Sequence, residues 1–174
     1  MSEIVKPVII PPRLKPGDTI GLVTPAGPVH DLDKVRAGID ILEEADFLVK
    51  VPADLEKEEY LAGSDEARAG QLTGVWQDPA VQVILAIRGG YGAMRLLPYL
   101  DPAGLAKTPK ILAGFSDITI LLNEIQRWFI EETRLGIPVD FTDEAIRGRR
   151  HWRPSNCTRY PGLGGTLSQE QVAP

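Results

Sequence analysis

A nearly unbroken apolar segment at residues 81–87 (VQVILAI) restricts the folds available to this chain more than any other feature. Its β-branched residues favour an extended strand, and the lack of polar alternation indicates a strand covered on both faces, as in a parallel sheet. A second apolar segment at 19–24 (TIGLVT) predicts another buried strand. Shorter segments at 47–51 and 109–113 predict two more, so the chain has enough strands for a sheet.

Segments with helical periodicity lie between these strands. Asp31 begins the first of them. Ser64 or Asp65 caps the second, which extends to about Gln77. Further helices are predicted near 93–97 and 118–129. Strands that alternate with helices predict an α/β fold, with an open, mostly parallel sheet flanked by helices in three layers of the flavodoxin or Rossmann kind.

Turns follow three of the predicted strands, at residues 25–28 (PAGP), 88–92 (RGGYG) and 114–117 (GFSD). The carboxyl ends of parallel strands meet at one edge of a sheet, and ligands of such folds bind outside that edge. The sequence therefore predicts that the three turns cluster there and form any functional site.

Ser116 lies where a predicted strand turns tightly into a helix. In that position its hydroxyl projects at the sheet edge, and the first N–H groups of the helix favour negative charge beside it. This is the logic of a nucleophile elbow, although the sequence is not G-x-S-x-G, and the backbone N–H of Asp117 would then donate to an oxyanion. The alternative is that Ser116 is an ordinary helix cap, which the local sequence alone favours.

The segment Arg88-Gly89-Gly90-Tyr91-Gly92 is the second candidate. Its glycines permit positive φ angles and close approach of the backbone to a ligand, so the loop could supply an amide to an oxyanion or hold a phosphate. It lacks the Gly-Lys-Ser/Thr ending of a P-loop and is not G-x-G-x-x-G. A tight turn without a ligand is the alternative.

Composition removes several classes of function. The net charge is −5 and the pI is about 5.1, so we expect neither nucleic acid nor an anionic membrane as partner. His30, His151 and Cys157 are too isolated for a metal site, and we expect no cofactor. No segment is apolar enough to be a membrane span or a signal peptide, which predicts a cytoplasmic protein.

The helical and strand patterns degrade after about residue 130. Arginines and prolines crowd residues 147–161, and the last residues are glycine-rich and polar. We therefore expect an α/β domain at 1–130 and an irregular, poorly ordered remnant at 131–174.

Four segments together resemble the LD-carboxypeptidase family of serine peptidases, which includes muramoyl-tetrapeptide carboxypeptidases and microcin-immunity peptidases. They are LKPGDTIGLVTPAGPV (14–29), YLAGSDEARAGQL (60–72), ILAIRGGYGAMRLLPYLD (84–101) and KILAGFSDITILLNEI (110–125). Each is moderately specific alone, and their order and spacing make the resemblance more specific. It covers roughly residues 8–125.

The resemblance implies hydrolysis of an L,D-peptide bond, with release of terminal D-alanine from a murein tetrapeptide and without a cofactor. It implies that Ser116 is the nucleophile and that the amides of Asp117 and Gly90 form the oxyanion hole. Family dimers also imply a homodimer. The residues that the resemblance places at the substrate are Arg88, Gly89, Tyr91 and Gly92.

The chain also departs from the family pattern. Family members are much longer, and their C-terminal domain supplies a glutamate and a histidine that complete a Ser-His-Glu triad. Here only residues 162–168 (GLGGTLS) resemble that domain, and neither His30 nor His151 matches the base position. A hydroxyl without a base is a poor nucleophile, so we expect a truncated, impaired enzyme. A non-catalytic peptide-binding module and a nonfunctional truncated product are the alternatives.

Overall fold

The computed structural model describes residues 11–53, 55 and 60–132. They form one four-stranded parallel sheet with the strand order β2-β1-β3-β4. This confirms the predicted α/β class. The strands are β1 (Thr19–Val23), β2 (Leu48–Lys50), β3 (Val81–Ala86) and β4 (Ile111–Ala113). The helices are α1 (Leu32–Glu44), α2 (Asp65–Gln77), α3 (Pro102–Lys107) and α4 (Thr119–Glu132), with short 3-10 helices at Ala93–Tyr99 and Ser116–Ile118.

Strand β3 is central, as its apolar sequence predicts. It pairs with β1 on one side and β4 on the other, and four of its six residues are buried. With both edges paired and both faces covered, most residues of this strand meet protein rather than water, so a strictly alternating polar pattern would cost free energy.

Caps fix where the first two long helices begin. The Asp31 carboxylate accepts from the Lys34 N–H at 3.1 Å, and the Ser64 hydroxyl accepts from the Ala67 N–H at 3.2 Å. Each cap pairs one of the N–H groups that the first helical turn leaves without an intrahelical partner. Helix α2 accordingly has the bounds that the sequence predicts.

Two short helices differ from the sequence-based prediction. The helix expected near 93–97 is a 3-10 helix at Ala93–Tyr99, and it contains Pro98, which lacks the N–H that an α-helix needs. Helix α3 was not predicted. It begins with Pro102 at a position that tolerates proline, and the Asp101 carboxylate caps it.

The sheet separates two apolar clusters of unequal size. The larger, which we call the α2-side core, joins α2, α3 and α4 to the sheet and includes Leu72, Trp76, Ile84, Leu96 and Leu121. The smaller, the α1-side cluster, has three buried residues, Ile20, Leu22 and Val83, against which partly buried residues of α1 and β2 pack. Helices thus cover both faces and make three layers.

The strand order has a switch point at the carboxyl ends of β1 and β3. These two strands are neighbours, yet the chain leaves β1 toward β2 and leaves β3 toward β4. The connections diverge at this point, and open α/β sheets bind ligands in the space so formed. Among the described helices, none has both the length and the apolar character that crossing a membrane requires. The expected irregular segment lies, after Glu132, outside the described residues.

Candidate functional site

Ser116 has a backbone conformation that few residues other than glycine adopt. Its φ is 59°, in the left-handed region, directly after the extended Phe115 with φ −148° and ψ 174°. The N–H of Ile118 donates to the Phe115 carbonyl at 3.2 Å and closes the turn. Steric contact between Cβ and the backbone makes positive φ costly for an L-residue, and such strain is concentrated at functional positions. The chain thus turns sharply from β4 into helix at this serine.

The Ser116 side chain is exposed and does not cap the helix. Within the described part of the chain its hydroxyl makes no hydrogen bond, and the 3-10 helix that it begins has no side-chain cap. The capping role that the local sequence favours is therefore wrong. The hydroxyl remains available to a ligand.

The glycine-rich loop lies directly against this turn. A Cβ atom at Gly89 would come within 2.9 Å of the Ser116 Cβ and 3.2 Å of the Asp117 nitrogen. Any side chain at that position would displace the turn. The structure therefore brings Gly89, Ser116 and the Asp117 amide together, as the clustering of turns predicts.

The turn after β1 completes the cluster. The Gly27 N–H donates to the Gly89 carbonyl at 3.2 Å, and a Cβ atom at Gly90 would lie 3.2 Å from the Gly27 Cα. Gly90 and Gly92 have φ values of 128° and 97°, which a residue with a Cβ rarely adopts. All three turns that the sequence singles out thus lie at the carboxyl edge of the sheet.

The side chain of Asp117 has a role that the sequence analysis missed. Its carboxylate accepts from the Ala93 N–H at 2.8 Å. This bond links the turn after β4 to the helix that follows the glycine-rich loop. The two residues are 24 positions apart, and no local pattern connects them.

Arg88 and Tyr91 occupy the rim of the site. The Arg88 Nη1 donates to the Pro28 carbonyl at 2.9 Å, and among the described residues this half-buried guanidinium contacts no carboxylate. The Tyr91 ring is 55% exposed and lies 6.0 Å, centroid to centroid, from the ring of Tyr60. Tyr60 is a second rim residue that sequence reasoning did not select.

Arg68 of α2 is the largest omission of the sequence analysis. Its side chain is 1% exposed and makes four hydrogen bonds. Nε donates to the Gly63 carbonyl at 3.1 Å, Nη1 to the carbonyls of Pro25 and Gly92, and Nη2 to the Asp65 carboxylate. An arginine on a helix is usually solvated, so its sequence position carries no signal of this arrangement.

Asp65 supports Arg68 electrostatically. Its other oxygen accepts from the Arg95 Nε at 2.8 Å. Desolvation acts to raise the pKa of Asp65, but the hydrogen bonds from Arg95 and Arg68 outweigh it and hold this pKa below its usual value. The carboxylate is therefore charged at neutral pH and compensates the buried guanidinium.

The site lacks a general base among the residues that the structure describes. His30 is exposed, and no described side chain hydrogen-bonds to Ser116. Residues 11–53, 55 and 60–132 also contain no cluster of three or more His, Cys, Asp or Glu side chains suited to a metal ion. At the site, the described residues offer an exposed hydroxyl, backbone amides and the Arg88 guanidinium, which no described carboxylate contacts.

Comparison with known proteins identifies the family. The model of the LD-carboxypeptidase N-terminal domain matches residues 20–131. The chain therefore belongs to the LD-carboxypeptidase family, whose members are hydrolases. The sequence-based resemblance is confirmed.

Individual relatives agree with this assignment. The chain is 43% identical over 184 residues to a carboxypeptidase homologue from Streptomyces coelicolor, with 95% of this chain and 56% of that protein covered. It is 44% identical over 69 residues to the murein tetrapeptide carboxypeptidase of Pseudomonas aeruginosa, with 39% of this chain and 22% of that protein covered. An MccF-like protein from Bacillus anthracis superposes with a TM-score of 0.66 at 31% identity, covering 70% of this chain and 38% of that one.

The chain spans about half the length of the Streptomyces protein. Because that match includes 95% of this chain, it extends well past residue 125, where the resemblance drawn from motifs stops. The likeness is therefore wider than the four motif segments indicate.

Proposed function

We propose that this chain is the nucleophile-bearing part of a serine-type LD-carboxypeptidase. Its substrate class is a murein tetrapeptide, and the bond hydrolysed is the L,D-peptide bond that precedes the terminal D-alanine. The observation that carries the proposal is the exposed Ser116 hydroxyl, held at positive φ on a strand-to-helix turn against Gly89. The name of the Pseudomonas relative supports the substrate class.

The proposed chemistry begins at Ser116. Its Oγ forms a bond to the substrate carbonyl carbon, and the carbonyl electrons move onto the oxygen. The backbone N–H groups of Asp117 and Gly90 donate to this oxyanion. The carbonyl re-forms as the C–N bond breaks, and the amine takes the proton that Oγ has given up and leaves as D-alanine. Water then adds to the acyl carbon, and as the ester bond breaks, a proton from this water returns to Oγ and the shortened peptide leaves as a carboxylic acid.

The rim residues bind the substrate in this proposal. Gly89 and Gly92 let the loop backbone approach the peptide closely. Arg88 keeps N–H donors beyond the one that Pro28 accepts, and a guanidinium suits the terminal carboxylate of a peptide. Tyr91, exposed beside Tyr60, offers an apolar surface to the peptide.

Activation of the hydroxyl is the weak step in this chain. The sequence contains two histidines, of which His30 is exposed and His151 lies outside the described residues. Loss of the base from a serine triad typically costs several powers of ten in rate. We therefore expect this chain alone to release D-alanine far more slowly than a relative with a complete triad.

The test is release of D-alanine from a murein tetrapeptide, measured for the chain and for Ser116→Ala. Release that disappears in the alanine variant supports the proposal and shows that a base acts on Ser116. Equal release from the two proteins contradicts serine catalysis in this chain.

A second candidate is a peptide-binding module without catalysis. The accessible Ser116 hydroxyl without a described base favours it. Calorimetric titration with the tetrapeptide separates the two functions, because a binding module retains its affinity in Ser116→Ala and releases no D-alanine. If the chain is instead a nonfunctional product, it melts without a cooperative transition.

A further inference from the structure

The buried guanidinium of Arg68 joins three separate segments of the chain. The carbonyls that it binds belong to Pro25, after β1, to Gly63, before α2, and to Gly92, at the end of the glycine-rich loop. A guanidinium loses its hydration when it is buried, so each of these bonds replaces one that water would make. The three segments and Asp65 together replace the hydration that the buried guanidinium loses.

These segments also contact one another around Ser116. The Ala62 N–H donates to the Ala26 carbonyl at 3.0 Å, and the Gly27 N–H donates to the Gly89 carbonyl at 3.2 Å. Gly89 in turn touches the Ser116 turn. A displacement of the Arg68 side chain would therefore reach the nucleophile through the loop backbone.

We propose that Arg68 is a positioning residue of the site. It fixes the loops after β1 and β3 relative to each other, and so fixes the amides of the glycine-rich loop relative to Ser116. The role of these amides in stabilising an oxyanion rests on the proposed function. The placement of the loops by Arg68 does not.

The geometry requires arginine rather than any cation. Four of its five N–H donors are used, one from Nε, two from Nη1 and one from Nη2. They are spread over a rigid plane and reach four separate acceptors. Lysine carries three donors on one nitrogen atom and cannot reach the same set.

The first experiment is amide hydrogen exchange on the full chain and on Arg68→Lys. The amides of Gly27 and Ala62 report whether the loops are docked, and the Ile87 amide, bonded to the Val23 carbonyl at 2.9 Å, reports the β1–β3 pairing. We expect Gly27 and Ala62 to exchange about tenfold faster or more in the variant while Ile87 changes little.

Arg95→Met is the matched control. Arg95 binds the same carboxylate, but its side chain is 53% exposed, and the described hydrogen bond of that side chain goes to Asp65 alone. We expect this variant to leave Gly27 and Ala62 protected. If Arg68→Lys fails to fold, Asp65→Asn is measured instead. This change removes the negative charge that pairs with Arg68 and keeps the guanidinium.

The second experiment links the loops to the reaction. A murein peptide analogue with a C-terminal boronic acid forms a tetrahedral adduct with an active-site serine, which boron-11 NMR detects. We expect Arg68→Lys to lower the affinity for the boronate about tenfold or more, whereas the affinity for the same peptide without boron changes little. The reason is that the loop amides donate to the tetrahedral adduct and not to the unreacted peptide.

The outcomes separate this inference from the proposed function. Unchanged protection of the Gly27 and Ala62 amides in Arg68→Lys overturns the role of Arg68. An equal loss of affinity for the boronate and for the peptide overturns it as well. A tetrahedral boron signal that is absent from the unaltered chain, or that persists in Ser116→Ala, contradicts the proposed function instead. In that case faster exchange at the two loop amides still supports the placement of the loops by Arg68.

Discussion

The two helices that flank β1 differ sharply in how firmly they are attached to the sheet. Helix α2 contributes Arg68, Ala69, Leu72 and Trp76 to the buried interior, whereas α1 has no buried residue. The site follows the same division, because Arg68 and Gln71 of α2 bind the backbone of the turn after β1. Helix α1 closes the opposite face and makes no described hydrogen bond to the site loops. The turns at the carboxyl edge of this sheet are therefore bound by side chains from one face only, that of α2.

The largest expected effect is on the α2 side. Trp76 is fully buried, its Nε1 donates to the carbonyls of Leu105 and Thr108, and its ring lies edge to face with Phe129 at 6.1 Å. Replacement by alanine leaves a cavity, and we expect Trp76→Ala to lower the free energy of unfolding by about 3–5 kcal/mol. Urea unfolding measures this change.

Leu42→Ala on α1 is the matched substitution. Leu42 is partly buried in the α1-side cluster, so less apolar area is lost and water fills the space. We expect a loss of roughly 1 kcal/mol. A loss as large as that of Trp76→Ala would show that α1 packs on the sheet as firmly as α2, and it would contradict the difference between the two helices.

A pH dependence is expected next in size, and it arises on the α2 side. The pKa of Asp65 is lower in the folded chain than in the unfolded chain, because hydrogen bonds from Arg95 and Arg68 outweigh desolvation. On acidification the unfolded chain therefore binds its proton first. The contribution to stability is complete above the ordinary aspartate pKa, near 4, and is lost as pH falls through the folded value.

Urea midpoints measured from about pH 6 down to about pH 3 test this prediction. We expect Asp65→Asn to reduce the acid-dependent loss of stability. The control variant is Asp33→Asn, which removes an exposed aspartate on α1 that pairs with Arg36. Equal pH profiles for the unaltered chain and Asp65→Asn would contradict a lowered pKa of Asp65 in the folded chain.

How far the sequence predicts this arrangement depends on the range of the contacts involved. Apolar periodicity and caps are local, so the sheet, α1 and α2 were predicted from them. The clustering of the turns was predicted because parallel strands share an edge. The contacts of Arg68 join residues up to 43 positions apart, and the helical pattern of α2 does not distinguish it from a solvated arginine. The bond from Ala93 to Asp117 was missed for the same reason.

The smallest expected effect concerns self-association. Exposed large apolar side chains lie both at the site, where they are Tyr60, Tyr91 and Phe115, and on α1, where Ile41 is exposed. The homodimer stays a prediction, and we expect the aromatic residues at the site to mediate it because they are grouped. In sedimentation at high concentration, Tyr91→Ser should shift the chain toward monomer and Ile41→Ser should not. A chain that is monomeric throughout would contradict self-association.

The positive φ of Ser116 has a genetic consequence. At an ordinary position alanine gives a more stable chain than glycine, because glycine has more freedom to lose on folding. At φ 59° we expect the reverse, with Ser116→Gly unfolding at higher urea than Ser116→Ala. Glycine is also a single-nucleotide change away from serine codons of the AGY type. If the hydroxyl had no function, the more stable glycine would be expected to replace serine at this position over time. Natural variants that keep serine at this position would therefore record selection on the hydroxyl itself.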